Sequence, residues 1–216
     1  MTVEGSLFPV KKSVQKRSDP DNSDSSKQES DQRFQKWLQI IYKTAIGQEL
    51  RPYIEVLESD GMIYLDKNLR AYGEQASGSH YAIPEGILSW VREEDRIVLK
   101  DSDNLPDEFI AGVLVHEATH YRDAVNAVNK GLNSQSGKTL ELNAHANQYR
   151  YYLESQLISL PVYTNQNASA KTALEAAYRH VYSNGSESDA VNALINSGYS
   201  REALSWERSF SPTANF

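Results

Sequence analysis

The sequence contains no cysteine. That excludes disulfides, a thiolate metal site and a thiol nucleophile. Any metal in this chain has to be held by histidine and carboxylate. Long apolar runs are missing as well: no stretch reaches the roughly 18 residues that suggest a membrane-crossing helix. Basic residues are in the minority, with 22 Lys and Arg against 29 Asp and Glu and a net charge of −7. This balance argues against a broad nucleic-acid-binding surface, which needs clustered Lys and Arg. Residues 1–30 lack the apolar core of a secretory signal. Residence in the cytoplasm is therefore expected, or export by a route that uses no cleavable signal.

With 216 residues the chain is long enough for one domain with a real core. Residues 11–32 are rich in Lys, Ser, Asp, Asn and Gln. They bury too little apolar area to offset chain entropy, which predicts a flexible polar tail over 1–31, a domain over 32–210 and a short C-terminal tail over 211–216. Phe34, Trp37, Leu38, Ile41 and Ala45 recur at helical spacing. Gly47 is expected to interrupt, with a second helix over 50–57. Asp60-Gly61 signals a turn, and Met62–Leu65, His80–Ile83 and Arg96–Lys100 read as short strands. After Pro106 the pattern turns helical, over about 107–129, 139–158, 168–183, 188–196 and 200–208. The expected fold is α+β: a small mixed sheet followed by a mainly helical half.

The chemistry lies in residues 113–121, Val-Leu-Val-His-Glu-Ala-Thr-His-Tyr. Each helical residue advances about 100°, so His116 and His120 share one face a turn apart. Two imidazoles so placed reach a single Zn²⁺ at roughly 2.0–2.1 Å. Glu117 follows the first of them, where its carboxylate addresses a water held by the metal and takes its proton. This is the H-E-x-x-H pattern. Val113, Leu114 and Val115 give the helix a buried approach, and Pro106, Asp107 and Glu108 mark its start with the right charge.

Catalytic zinc usually has a third protein ligand. Asp123 and Asn126 stand where a metzincin would carry its Gly and third His, so that longer pattern fails. The next helix offers Glu141 and His145, again one turn apart on one face, and either fits. Asp123 lies three residues past His120. It either accepts the outer N–H of a ligand histidine or is a helix acid beside Arg122.

H-E-x-x-H followed by Glu141-x-x-Ala144 resembles the gluzincin branch of the zincin metallopeptidases over about residues 95–160. The resemblance implies a zincin-like fold and hydrolysis of peptide bonds in a protein or peptide substrate. It also implies one Zn²⁺ per chain on His116, His120 and Glu141, with His145 beside the ligands and Glu117 as base. The small Ala144 would let the two helices pack closely. Arg122 departs from the apolar residue common there. Some gluzincins, the clostridial neurotoxin proteases among them, carry an R-x-x-Y pair beyond the zinc ligands to stabilise the oxyanion, and others use a His. Arg179, Tyr182 and His180 match these roles, although Tyr178 and Tyr182 also have core spacing. Zincins bind substrate as an added strand along a sheet edge, which would be Ile97, Val98 and Leu99 here. Two competing expectations keep the fold: a zinc-binding or metal-free binding module without activity, and a hydrolase of a non-peptide amide.

Overall fold

Trp37, Leu38 and Ile41 are buried along one face of the first helix, α1 (Asp24–Ile41), as their spacing predicts. The computed structural model describes residues 24–59, 63–66, 89–91, 96–100, 106–164 and 168–209. Residues 1–23 of the expected tail, the strand expected at His80–Ile83 and residues 211–216 lie outside them. α1 begins at Asp24, inside the stretch expected to be a tail. The next helix, α2 (Ala45–Ser59), buries Ile46, Leu50, Ile54 and Leu57. Gly47 does not interrupt it; the break falls at 42–44. A Cβ on Gly47 would sit 1.9 Å from the Ile41 carbonyl oxygen, so glycine is what lets the two helices turn so tightly.

α3 (Asp107–Asn129) starts directly after Pro106 and carries Asp107 and Glu108 in its first turn. Asp107 does more than complement the helix dipole. It accepts from Arg33 Nε and Trp37 Nε1 on one oxygen and from Lys36 Nζ on the other, at 2.6–2.8 Å. Burial pushes this carboxyl up, but the three donors outweigh it and hold it at about 2. α3 is thereby pinned to α1 at its first residue. Residues 109–119 of α3 are all buried, the pattern of a helix surrounded on every side.

Beyond β4 (Ser134–Ser136), the Ser136 side chain caps α4 (Gly137–Glu154) by accepting from the Thr139 amide. A 3₁₀ turn (Leu157–Ser159) and α5 (Pro161–Thr164) lead to α6 (Ala168–Tyr182), α7 (Glu187–Asn196), α8 (Arg201–Ser205) and β5 (Glu207–Ser209). Two apolar clusters flank α4. One joins α1, α2, α3 and α4 around Trp37, Phe109, Tyr151 and Tyr152. The other joins α4 to α6, α7 and α8 around Leu142, Ala177, Leu194 and Leu204.

The expectation of a mixed sheet followed by a helical half is overturned: the domain is predominantly helical. β1 (Ile63–Asp66) and β3 (Arg96–Lys100) form at or beside expected strands and β2 (Ser89–Val91) where none was expected, and each is only three to five residues long. The buried core residues whose side chains are described lie on helices, and Ile63 of β1 packs against them partly buried. Most of the described apolar core is carried by α1 to α4.

Gly112 of α3 packs directly against Tyr152 of α4. A Cβ there would lie 2.2 Å from the Tyr152 ring and 2.9 Å from its hydroxyl. Gly112→Ala is therefore expected to force the helices apart and destabilise the protein by about 1–3 kcal/mol, as overpacking does. Chemical denaturation measures it; unchanged stability would mean that the ring moves aside freely.

Candidate metal centre

The polar residues of the interior are concentrated between two helices. Of nine buried polar or charged residues among those described, eight lie on α3 or α4: His116, Glu117, Thr119, Asp123, Glu141, His145, Asn147 and Gln148. Burying so many polar groups in one seam is costly unless they are satisfied or hold something.

His116 Nε2 and His120 Nε2 face each other at 3.2 Å. Glu141 Oε2 lies 3.7 Å from each of them. Three ligand atoms on a tetrahedral ion at 2.0–2.1 Å would be about 3.3 Å apart. The spacing of this triangle is close to that, so the donor set fits a small cation. His116, His120 and Glu141 form a buried group that could hold a metal ion. The i, i+4 spacing on α3 supplies the two imidazoles, and the close crossing of α4 delivers the carboxylate. Burial pushes the Glu141 carboxyl up, yet the imidazoles of His120 and His116 outweigh it and hold it well below the usual carboxylate range. It is thus an anion, the form a carboxylate needs to serve as a ligand.

Glu117 is buried on the same helix, its Oε1 3.7 Å from His116 Nε2. It borders the triangle without being a corner of it. His145 stands outside the triangle too. Its Nδ1 is 2.9 Å from the Glu141 carbonyl oxygen, and its ring meets the His116 ring edge-on at 4.8 Å. Burial, with His116 close by, pushes His145 down to about 3, so the ring is neutral at ordinary pH.

The other expected residues are engaged elsewhere. Asp123 does not support a histidine. Its Oδ1 accepts from Arg122 Nε and Nη2 at 2.9 and 2.7 Å, and its Oδ2 from Asn143 Nδ2 at 2.8 Å. One turn past His120, its carboxylate reaches across to α4 and ties the helices together. This pairing also accounts for Arg122. Arg179 is exposed and pairs with Glu175, one turn back on its own helix. His180 Nδ1 faces the Gly185 carbonyl at 3.2 Å, at the end of α6. The Tyr182 hydroxyl donates to Asn147 at 2.5 Å, with Arg150 over its ring. None of these contacts reaches the triangle. β3 is not an edge: it pairs with β1 on one side and β2 on the other, and Ile97 and Val98 face a partner strand on both sides, while Leu99 is paired with Leu65 of β1.

Two residues beside the centre have no counterpart among the sequence expectations. Gln148 Oε1 lies 3.2 Å from His116 Nδ1, and Gln148 Nε2 donates to the Tyr152 hydroxyl at 2.9 Å. Tyr199 meets the His145 ring edge-on at 5.4 Å. Helical spacing held the signal for Gln148, since 141, 145 and 148 fall on one face of α4. Tyr199 carried none, because it comes from a turn that only the folded chain brings there.

The class defined so far is a helical protein with a buried His-His-Glu group able to hold a metal. No family model matches the chain, and neither curated proteins nor solved structures give a match. Among the described residues, no helix is long and apolar enough to cross a membrane.

Proposed function

We propose that this protein is a zinc-dependent endopeptidase of the gluzincin kind, with His116, His120 and Glu141 as the metal ligands and Glu117 as the general base. The observation that carries the reading is the convergence of those three side chains from two helices, with the Glu117 carboxylate beside them. A structural metal site has no use for a base at its rim, and the seam supplies two histidines, one ligating carboxylate and a second carboxylate left over for proton transfer.

When bound, zinc supplies Lewis-acid polarisation of a carbonyl and lowers the pKa of water at its open position. The residues of the chain do the rest. His116, His120 and the ionised Glu141 would hold the ion. Glu117 takes a proton from the attacking water as the new C–O bond forms, and passes it to the amide nitrogen as the C–N bond breaks. Burial of the seam keeps bulk water from competing for these groups.

The test is metal content followed by cleavage of a mixed peptide pool. One zinc per chain and cleaved peptides are expected. A protein that takes up no zinc overturns the reading. One that binds zinc but cleaves nothing in the pool is a binding module or acts on another amide.

A further inference from the structure

We infer that Gln148 is a positioning residue for the metal centre, setting the tautomer of His116 so that its Nε2 lone pair faces Glu141 and His120. The inference rests on the metal-centre reading above and adds to it the group that prepares His116 to ligate.

A neutral imidazole carries its proton on one nitrogen and a lone pair on the other. His116 can offer Nε2 to a metal only if the proton sits on Nδ1, and Nδ1 lies 3.2 Å from the Gln148 side-chain oxygen. That oxygen only accepts, so it favours the Nδ1–H form. The opposite end of the same amide is also held, since Nε2 donates to the Tyr152 hydroxyl at 2.9 Å. Tyr152 is fully buried and stacked on Phe109, with ring centroids 5.5 Å apart and planes at 23°. Gly112 packs against the same ring. The amide is therefore not free to turn. If it did turn, its NH₂ would donate to Nδ1 and leave the proton on Nε2, which faces His120 Nε2 at 3.2 Å and blocks the triangle.

His120 is the contrast. Its Nδ1 is buried and has no hydrogen-bond partner among the described residues. Of the two histidines, His116 is the one whose tautomer this network determines, and a neutral amide does the work that a carboxylate or backbone carbonyl often does beside a metal.

Long-range ¹H–¹⁵N imidazole spectra of the full chain, stripped of metal at alkaline pH, read the tautomer directly. His116 is expected as the Nδ1–H form in the wild type. Gln148→Leu is expected to abolish that preference, and Gln148→Glu to restore it, because a carboxylate accepts from both Nδ1–H and the Tyr152 hydroxyl. Zinc titration against a chromophoric chelator should show about 10–100-fold weaker binding in Gln148→Leu and none of that loss in Gln148→Glu. An Nε2–H tautomer for wild-type His116 overturns the inference. So does a Gln148→Leu protein with unchanged tautomer and zinc affinity, whatever its melting temperature. Should Gln148→Leu not fold, the wild-type spectrum and Gln148→Glu decide alone. If the wild type shows the Nδ1–H form yet binds no zinc, the metal reading fails and the tautomer assignment stands.

Discussion

His116→Ala, His120→Ala and Glu141→Ala are each expected to strip the protein of zinc under conditions where the wild type retains one ion per chain. The three ligand atoms lie 3.2–3.7 Å from one another, and no other group of three suitable side chains occurs among the described residues. Zinc binding to a four-ligand site is worth about 10–16 kcal/mol, so one ligand carries roughly 3 kcal/mol. Losing it weakens affinity by about 10²-fold or more. His145→Ala is the control. Its Nδ1 is turned to the Glu141 carbonyl and its ring leans on His116, so zinc should stay. Inductively coupled plasma analysis of the four desalted variants measures this. A His145→Ala protein without metal, next to a Glu141→Ala protein that keeps it, would exchange the ligand assignments.

Glu117→Gln is expected to keep zinc and fold while turnover falls about 10²–10⁴-fold, the range for loss of a general base. The substitution preserves shape and removes only the capacity to take a proton. Because Glu117 borders the triangle rather than forming a corner, its loss should leave the metal content at one per chain. The KM should change little, since nothing in the role of a base involves substrate binding. Full activity in Glu117→Gln would place proton transfer elsewhere in the seam; loss of zinc would make Glu117 a ligand.

Residues close in sequence were legible where one helix decided the outcome. Pro106, Asp107 and Glu108 marked the start of α3, which runs over the residues expected. Asp123 shows the limit. Its position on the helix face was right, but which neighbour it met depended on Asn143 of α4 and on Arg122 folding back. Arg179, His180 and Tyr182 were expected by analogy with another site; here they meet Glu175 of their own helix, the Gly185 carbonyl and Asn147 respectively. Nothing beyond its helix face marks Gln148 in the sequence; only its contact with His116 across the seam brings it into view.

By itself the sequence determined that a metal here could have only histidine and carboxylate ligands, because cysteine is absent. It also determined that His116 and His120 would lie together, because 100° per residue brings i and i+4 to one face whatever surrounds the helix. The tertiary structure decided the rest. Whether Glu141 or His145 completes the triangle depends on the angle and closeness of α4 to α3, set at Gly112 and Tyr152. Whether strands or helices make the core depends on how much apolar area each can bury together, a sum over the whole chain rather than a local preference. In the described core that sum falls to α1, α2, α3 and α4, which bury Trp37, Leu50, Phe109 and Tyr152 against one another.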